Sequence, residues 1–104
     1  MNVCFEYLYR DAANYKNWGE VILEAEIDTD ILEIENKVRD ALIDGEFFVA
    51  ENTELPTLYF QNKKSEDDHG WHEFSAVSLT DKSPTVRQTI DSLIRALDAT
   101  KNNV

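Results

Sequence analysis

A chain of 104 residues has room for one domain, which buries roughly 60% of its unfolded surface, and too little for two comfortable ones. With 42% hydrophobic and 11% aromatic residues it carries the material for a packed core, which excludes a disordered chain. The formal net charge of −11 repels phosphate backbones and argues against direct nucleic-acid binding, and no apolar run approaches the roughly 18 residues of a membrane span.

The charge is unevenly placed. Glu20 to Glu54 holds twelve acidic residues against Lys37 and Arg39, while the rest of the chain is close to neutral. The start MNVCFEYLYR lacks the basic-then-apolar pattern of a secretion signal, and Cys4 has no second cysteine to pair with. Both features fit a reducing cytoplasm, with Cys4 as a small buried hydrophobe rather than a nucleophile.

In chain order, Val3 to Tyr9 reads as a strand, with Val3, Phe5, Tyr7 and Tyr9 on one face. GEVILEAEI alternates as a second strand: Val21, Leu23, Ala25 and Ile27 face inward, and Glu20, Glu24 and Glu26 face water. The two predict a hairpin joined by the long connection Arg10 to Gly19. Asp30 caps a first helix, with Glu33 completing a capping box, and Ile31, Ile34, Val38, Ala41 and Leu42 form its apolar stripe. Glu33 with Lys37, and Glu35 with Arg39, are spaced to pair, and Gly45 ends the helix. FFVA reads as a short strand or a plug, TLYFQ as a strand, NKKSEDDHG as an exposed loop, and WHEFSAVSL as a strand antiparallel to TLYFQ. Ser83 and Pro84 predict the start of a second helix, with Val86, Ile90, Leu93, Ile94 and Leu97 inward. The order β-β-α-β-β-α implies an α+β two-layer sandwich: an antiparallel sheet with two helices on one face. A single domain spans 1–104, with 99–104 as a frayed tail.

Three clusters carry candidate chemistry. The stretch YLYRDAANYKNWGEV gathers Tyr9, Arg10, Tyr15, Lys16 and Trp18, residue types that carry interface energy or hold an anion. The plainer reading folds these aromatics back over the end of the sheet, with Asp11 or Asn14 bonding the loop backbone. DDHGWHEF brings Asp67, Asp68, His69, His72 and Glu73 within seven residues, and His69 and His72 are its metal-ligand candidates. Loop spacing scatters such side chains, so no metal or other cofactor is expected. Glu24 and Glu26, with Asp28, form an acidic row suited to a basic protein partner, or to imitation of a phosphate strand.

The pattern YRD…NYK…G with a later HEF resembles a group of small bacterial hypothetical proteins. The resemblance covers about the first twenty residues plus His72 to Phe74, and it implies no role for any of them. No Gly-rich phosphate loop, Gly-x-Ser-x-Gly elbow or Cys-x-x-Cys occurs. The sequence therefore points to a non-enzymatic binding or regulatory module that uses its acidic face and the Tyr9–Trp18 loop. Two alternatives stand beside it: an inhibitor or nucleic-acid mimic aimed at a basic partner, and a small enzyme or metal protein with a site near His72 and Glu73.

Overall fold

The computed structural model describes residues 1–59 and 71–101. Four antiparallel strands, β1 (Asn2–Arg10), β2 (Lys16–Leu23), β3 (Phe47–Val49) and β4 (Trp71–Thr80), form a sheet of order β2-β1-β4-β3. Helix α1 (Ile31–Ala41) follows the first hairpin, and helix α2 (Ile90–Lys101) follows β4.

Period-two alternation decides which side is covered. Val3, Phe5 and Tyr7 of β1 share a face with their cross-strand partners Leu23 and Val21 of β2 and Val77 and Phe74 of β4. All seven belong to one core cluster with Ile34, Val38 and Ala41 of α1 and Ile90, Leu93 and Leu97 of α2. Both helices therefore lie on one face of the sheet, in the two-layer α+β arrangement. Each large side chain fully buried there contributes about 1.5–3 kcal/mol. Phe5 anchors the middle, its ring centre 5.3 Å from Phe74 and 6.0 Å from Phe48. A bulge after Glu6 shifts the β1–β4 register by one residue, so that Tyr7 meets Phe74 and Tyr9 meets His72.

Helix α1 starts where local chemistry says. Asp30 Oδ1 accepts from the Leu32 N–H at 3.0 Å, but the expected capping box does not close, because Glu33 pairs with Lys37 at 3.3 Å instead of reaching back to the Asp30 N–H. Arg39 does not reach for Glu35. It donates to the Gly45 carbonyl at 2.9 Å and lies over the Phe74 ring, 4.9 Å from its centre. Beyond the helix, Asp44 (φ 53°) and Gly45 (φ 71°) are both left-handed. That is a hairpin turn, and it brings Phe47 back against Ile43 through two backbone bonds of 2.9 Å.

Several expected boundaries move. The strand after that turn is Phe47–Val49, which pairs with the start of β4, whereas Thr57–Tyr59 is not in a strand. A 3-10 turn at Ala50–Thr53 and a left-handed Glu54 carry the chain away from the sheet edge. Leu58 then settles over Gly19, the position on β2 where a side chain would meet it at 2.8 Å. Phe60 and Gln61 lie outside the described residues, as do the expected loop 62–70 and residues 102–104.

The second change is at α2. Ser83 and Pro84 do not start it; the helix begins at Ile90, with Thr89 Oγ1 accepting from the Ser92 N–H at 3.1 Å. The preceding segment runs along the outer edge of β2. Thr85 donates its N–H to the Ile22 carbonyl, and its hydroxyl accepts from the Ile22 N–H, both at 2.9 Å. Edge pairing satisfies two strand groups that a helix begun at Pro84 would leave open. At the other end, Ala99 to Lys101 remain helical instead of fraying, and Thr100 is buried.

The third is β2 itself, which ends at Leu23. Ile27 was expected inside and is 94% exposed, because the chain has already turned towards α1. Ile22, on the face away from the helices, is buried together with Cys4 and Leu8, so that face is not uniformly solvated.

Candidate binding site

The opening aromatic stretch forms the tip and the outer edge of the first hairpin. Its connection is five residues, 11–15, not the ten expected. Asp11 closes it: Oδ1 accepts from the Ala13 and Tyr15 N–H groups at 3.0 and 2.9 Å, and the backbone N–H donates to Tyr15 at 3.0 Å. Asn14 takes the left-handed conformation (φ 70°) that the turn requires and that asparagine tolerates. Since the loop is closed by its own backbone bonds, its aromatics are not needed as glue.

The five expected loop residues separate accordingly. Tyr9 is on the helix side of β1 and only 1% exposed, packed against His72 and Tyr59 with ring centres 5.2 and 4.8 Å away. It belongs to the core and not to a surface rim. Arg10 is on the opposite face, where it grips Glu73 through Nε at 2.7 Å and Nη2 at 3.2 Å, and Nη1 reaches Asn14 at 2.6 Å. The Glu73 hydrogen bond raises the guanidinium pKa further above its ordinary value. Arg10 is thus a clamp between the hairpin tip and β4, not a free anion site. Tyr15, Lys16 and Trp18 point outward; Tyr15 is 70% and Trp18 59% exposed.

Beside them lies an open length of backbone. The β1–β2 register runs without a break from Val3↔Leu23 to Arg10↔Lys16. Ile22 and Glu24 direct their backbone groups away from β1, to Thr85 and Ile90. Alternation therefore aims the N–H and C=O of Glu20, Trp18 and Lys16 outward too. Among the described residues none of these groups meets a partner. This stretch ends at the Asp11 turn on one side and at Thr85 on the other.

Its charges are poorly matched within the chain. Lys16 stands directly opposite Arg10, and Glu20 directly opposite Glu6, each pair on the face away from the helices. Like charges across a ladder destabilise it. Glu20 is partly engaged by Cys4, whose Sγ donates to Oε2 at 2.7 Å. Burial, then that bond, then the charges of Glu20 and Glu6 push the thiol pKa up to about 11. Cys4 therefore stays protonated near neutral pH and is no nucleophile there.

Comparison with protein-family models, curated proteins and solved structures found no match to this chain.

Glu24 and Glu26 lie at the opposite end of β2 from Lys16, so the acidic end and the aromatic tip do not form one continuous face. There, Glu26, Asp28, Asp30, Glu33 and Asp91 line a cleft at the starts of the two helices, and Glu24 lines its neighbour. Glu24 only bridges to Thr89, and Glu26 lies beyond the strand, so the evenly spaced strand row expected of Glu24, Glu26 and Asp28 does not form.

His72 and Glu73, adjacent on β4, point to opposite faces. His72 is wholly buried among Tyr7, Tyr9, Phe48 and Tyr59, and its Nε2 accepts from the Leu58 N–H at 2.9 Å. Glu73 is held by Arg10 on the other side. The pair cannot converge on one metal ion or one reacting proton. His69, Asp67 and Asp68 lie outside the described residues, and among the described ones no three His, Cys, Asp or Glu side chains are grouped to hold a metal. No helix among them is long and apolar enough to cross a membrane.

Period-two reasoning already placed Tyr9 with Val3, Phe5 and Tyr7, and that signal outranks its nearness to the loop. The open edge carries no residue-type signature of its own. It follows from strand order and from where residues 81–89 run.

Proposed function

We propose that this protein is a small non-enzymatic binding module, whose partner docks along the outer edge of β2 from Tyr15 to Glu20. The observation that carries the reading is the pairing of two exposed aromatics, Tyr15 and Trp18, with outward backbone groups of β2 that have no hydrogen-bond partner among the described residues. A strand laid on that edge gains main-chain hydrogen bonds, and Trp18 supplies an anchor of the kind that dominates interface energy. The single cysteine, which has no partner in the chain for a disulfide, supports a reducing, cytoplasmic setting. The net charge of −11 favours a protein partner over nucleic acid.

The test is affinity capture from the native cell with tagged protein, comparing the wild type with Tyr15→Ala/Trp18→Ala. The double variant should lose the proteins that the wild type retains. An unchanged set of captured proteins refutes the reading.

A second reading rests on a different observation, the clefts at the helix starts lined by Glu24, Glu26, Asp28, Asp30, Glu33 and Asp91, with Lys37 also in the lining and already paired to Glu33. They suit a basic protein segment, as an inhibitor of such a partner would require. Capture that survives Tyr15→Ala/Trp18→Ala but falls steeply with added salt would favour it.

A further inference from the structure

We infer that the strand received by the β2 edge is β2 of a second copy of this chain, paired antiparallel about a twofold axis through Trp18. The inference rests on the edge reading above and goes further by naming the occupant. The open stretch Lys16–Glu20 is five residues long and centred on Trp18, with its outward backbone groups at Lys16, Trp18 and Glu20. An antiparallel copy centred there sets Trp18 against its twin as a hydrogen-bonded pair and sets Lys16 against Glu20 of the other copy, twice. The three outward residues of each copy then exchange N–H and C=O bonds.

Local charge complementarity favours this occupant, against the mutual repulsion of two chains of net charge −11 that moderate salt screens. Inside one chain Lys16 faces Arg10 and Glu20 faces Glu6, so each has a like charge on its β1 side. The second copy puts an opposite charge on the open side of each. The two Trp18 side chains, 59% exposed in one copy, meet on the face away from the helices. The length fits as well. At the point where the incoming chain would reach Thr85, alongside Ile22, it has already turned away at Asn14 and Asp11. Pairing two edges also removes an exposed strand that would otherwise template aggregation.

The test is sedimentation equilibrium of the full chain across a wide concentration range at moderate salt, on wild type, Lys16→Glu, Glu20→Lys and the double exchange. Wild type should rise from the 12.0 kDa chain mass towards twice that value. Each single exchange places like charges opposite each other across the twofold axis and should shift the midpoint of assembly at least tenfold upward in concentration. The double exchange restores both pairs and should recover the wild-type midpoint. Each single exchange also removes a like-charge pair within the hairpin, so the fold should persist, and circular dichroism checks this. A wild type that stays at the single-chain mass overturns the inference, as do single exchanges that leave assembly unchanged or a double exchange that fails to restore it. A monomeric wild type whose captured proteins still depend on Tyr15 and Trp18 overturns the second-copy inference alone. A monomeric wild type whose captured proteins are also unchanged by Tyr15→Ala/Trp18→Ala removes the binding-edge reading as well.

Discussion

His72 and Leu58 are joined by one hydrogen bond, the Leu58 N–H donating to Nε2 at 2.9 Å, and that bond takes the place of the strand pairing expected for TLYFQ. Because Nε2 accepts, the ring proton is assigned to Nδ1 and the imidazole is neutral. His72→Ala should cost about 2–4 kcal/mol, since it leaves a cavity among four aromatic rings and removes the acceptor of a part-buried N–H. Urea denaturation of variant and wild type measures this. A loss below about 0.5 kcal/mol would mean that His72 is not the pin between β4 and the Pro56 segment.

Asp11 closes the hairpin loop by accepting two backbone N–H groups on one oxygen. Asp11→Ala should therefore destabilise by about 1 kcal/mol, while Asp11→Asn, which keeps that oxygen, should recover most of it. Thermal unfolding of the three proteins decides the point. If Asp11→Ala unfolds at the wild-type temperature, the loop is held by something other than this carboxylate.

Alkali should destabilise the fold over a defined window. Burial pushes Tyr7 from 10.0 up to about 12, and its hydroxyl donates to the Pro56 carbonyl at 2.6 Å. Tyr59 also rises to about 12, through burial and its hydrogen bond to Glu51. Between these values the unfolded chain loses its phenolic protons before the folded one does, so each step up in pH favours unfolding. The stabilisation is complete below about 10 and is lost as pH rises through about 12. Denaturation midpoints should fall steadily over that range, and less steeply in Tyr7→Phe. Midpoints independent of pH there would contradict the packing of both phenols.

The Cys4 thiol should be slow. With its pKa raised from 9.0 to about 11, the native protein at pH 8 should react with a thiol reagent about a hundredfold more slowly than the denatured chain. Glu20→Gln should narrow the gap by removing the carboxylate that holds the proton. Equal rates in native and denatured protein would show that Cys4 is neither shielded nor bonded to Glu20.

What could be read from the sequence was what depends on near neighbours. The Asp30 cap, the stripe Ile34–Val38–Ala41 and the alternation Val3–Phe5–Tyr7–Tyr9 are local patterns, and the structure repeats them. The misplacements came where a distant segment supplied a better partner. Ser83–Pro84 carries a sound helix-start signal, yet the open groups of Ile22 draw Thr85 into edge pairing and delay the helix to Ile90. Thr57–Tyr59 has strand-forming residues, yet Phe47–Val49 occupies the place beside β4, and the gap over Gly19 takes Leu58. Gly45 reads from the sequence as a helix stop, yet together with Asp44 it makes a hairpin turn, because both uses need left-handed backbone. For the candidate site, the sequence named Tyr15, Lys16 and Trp18. Their separation from Tyr9 and from Glu24 and Glu26, and the part played by Glu20, depend on the sheet's strand order and on the course of residues 81–89.

Amide hydrogen exchange along β2, measured at low and high protein concentration, tests the central claim most directly. Asn17, Gly19 and Val21, paired to β1, should exchange slowly at both concentrations. Lys16, Trp18 and Glu20 should exchange rapidly when dilute and slow down together as concentration rises. Rates at these three amides that are already slow in dilute solution, or that never change with concentration, would contradict an open edge that closes against its twin.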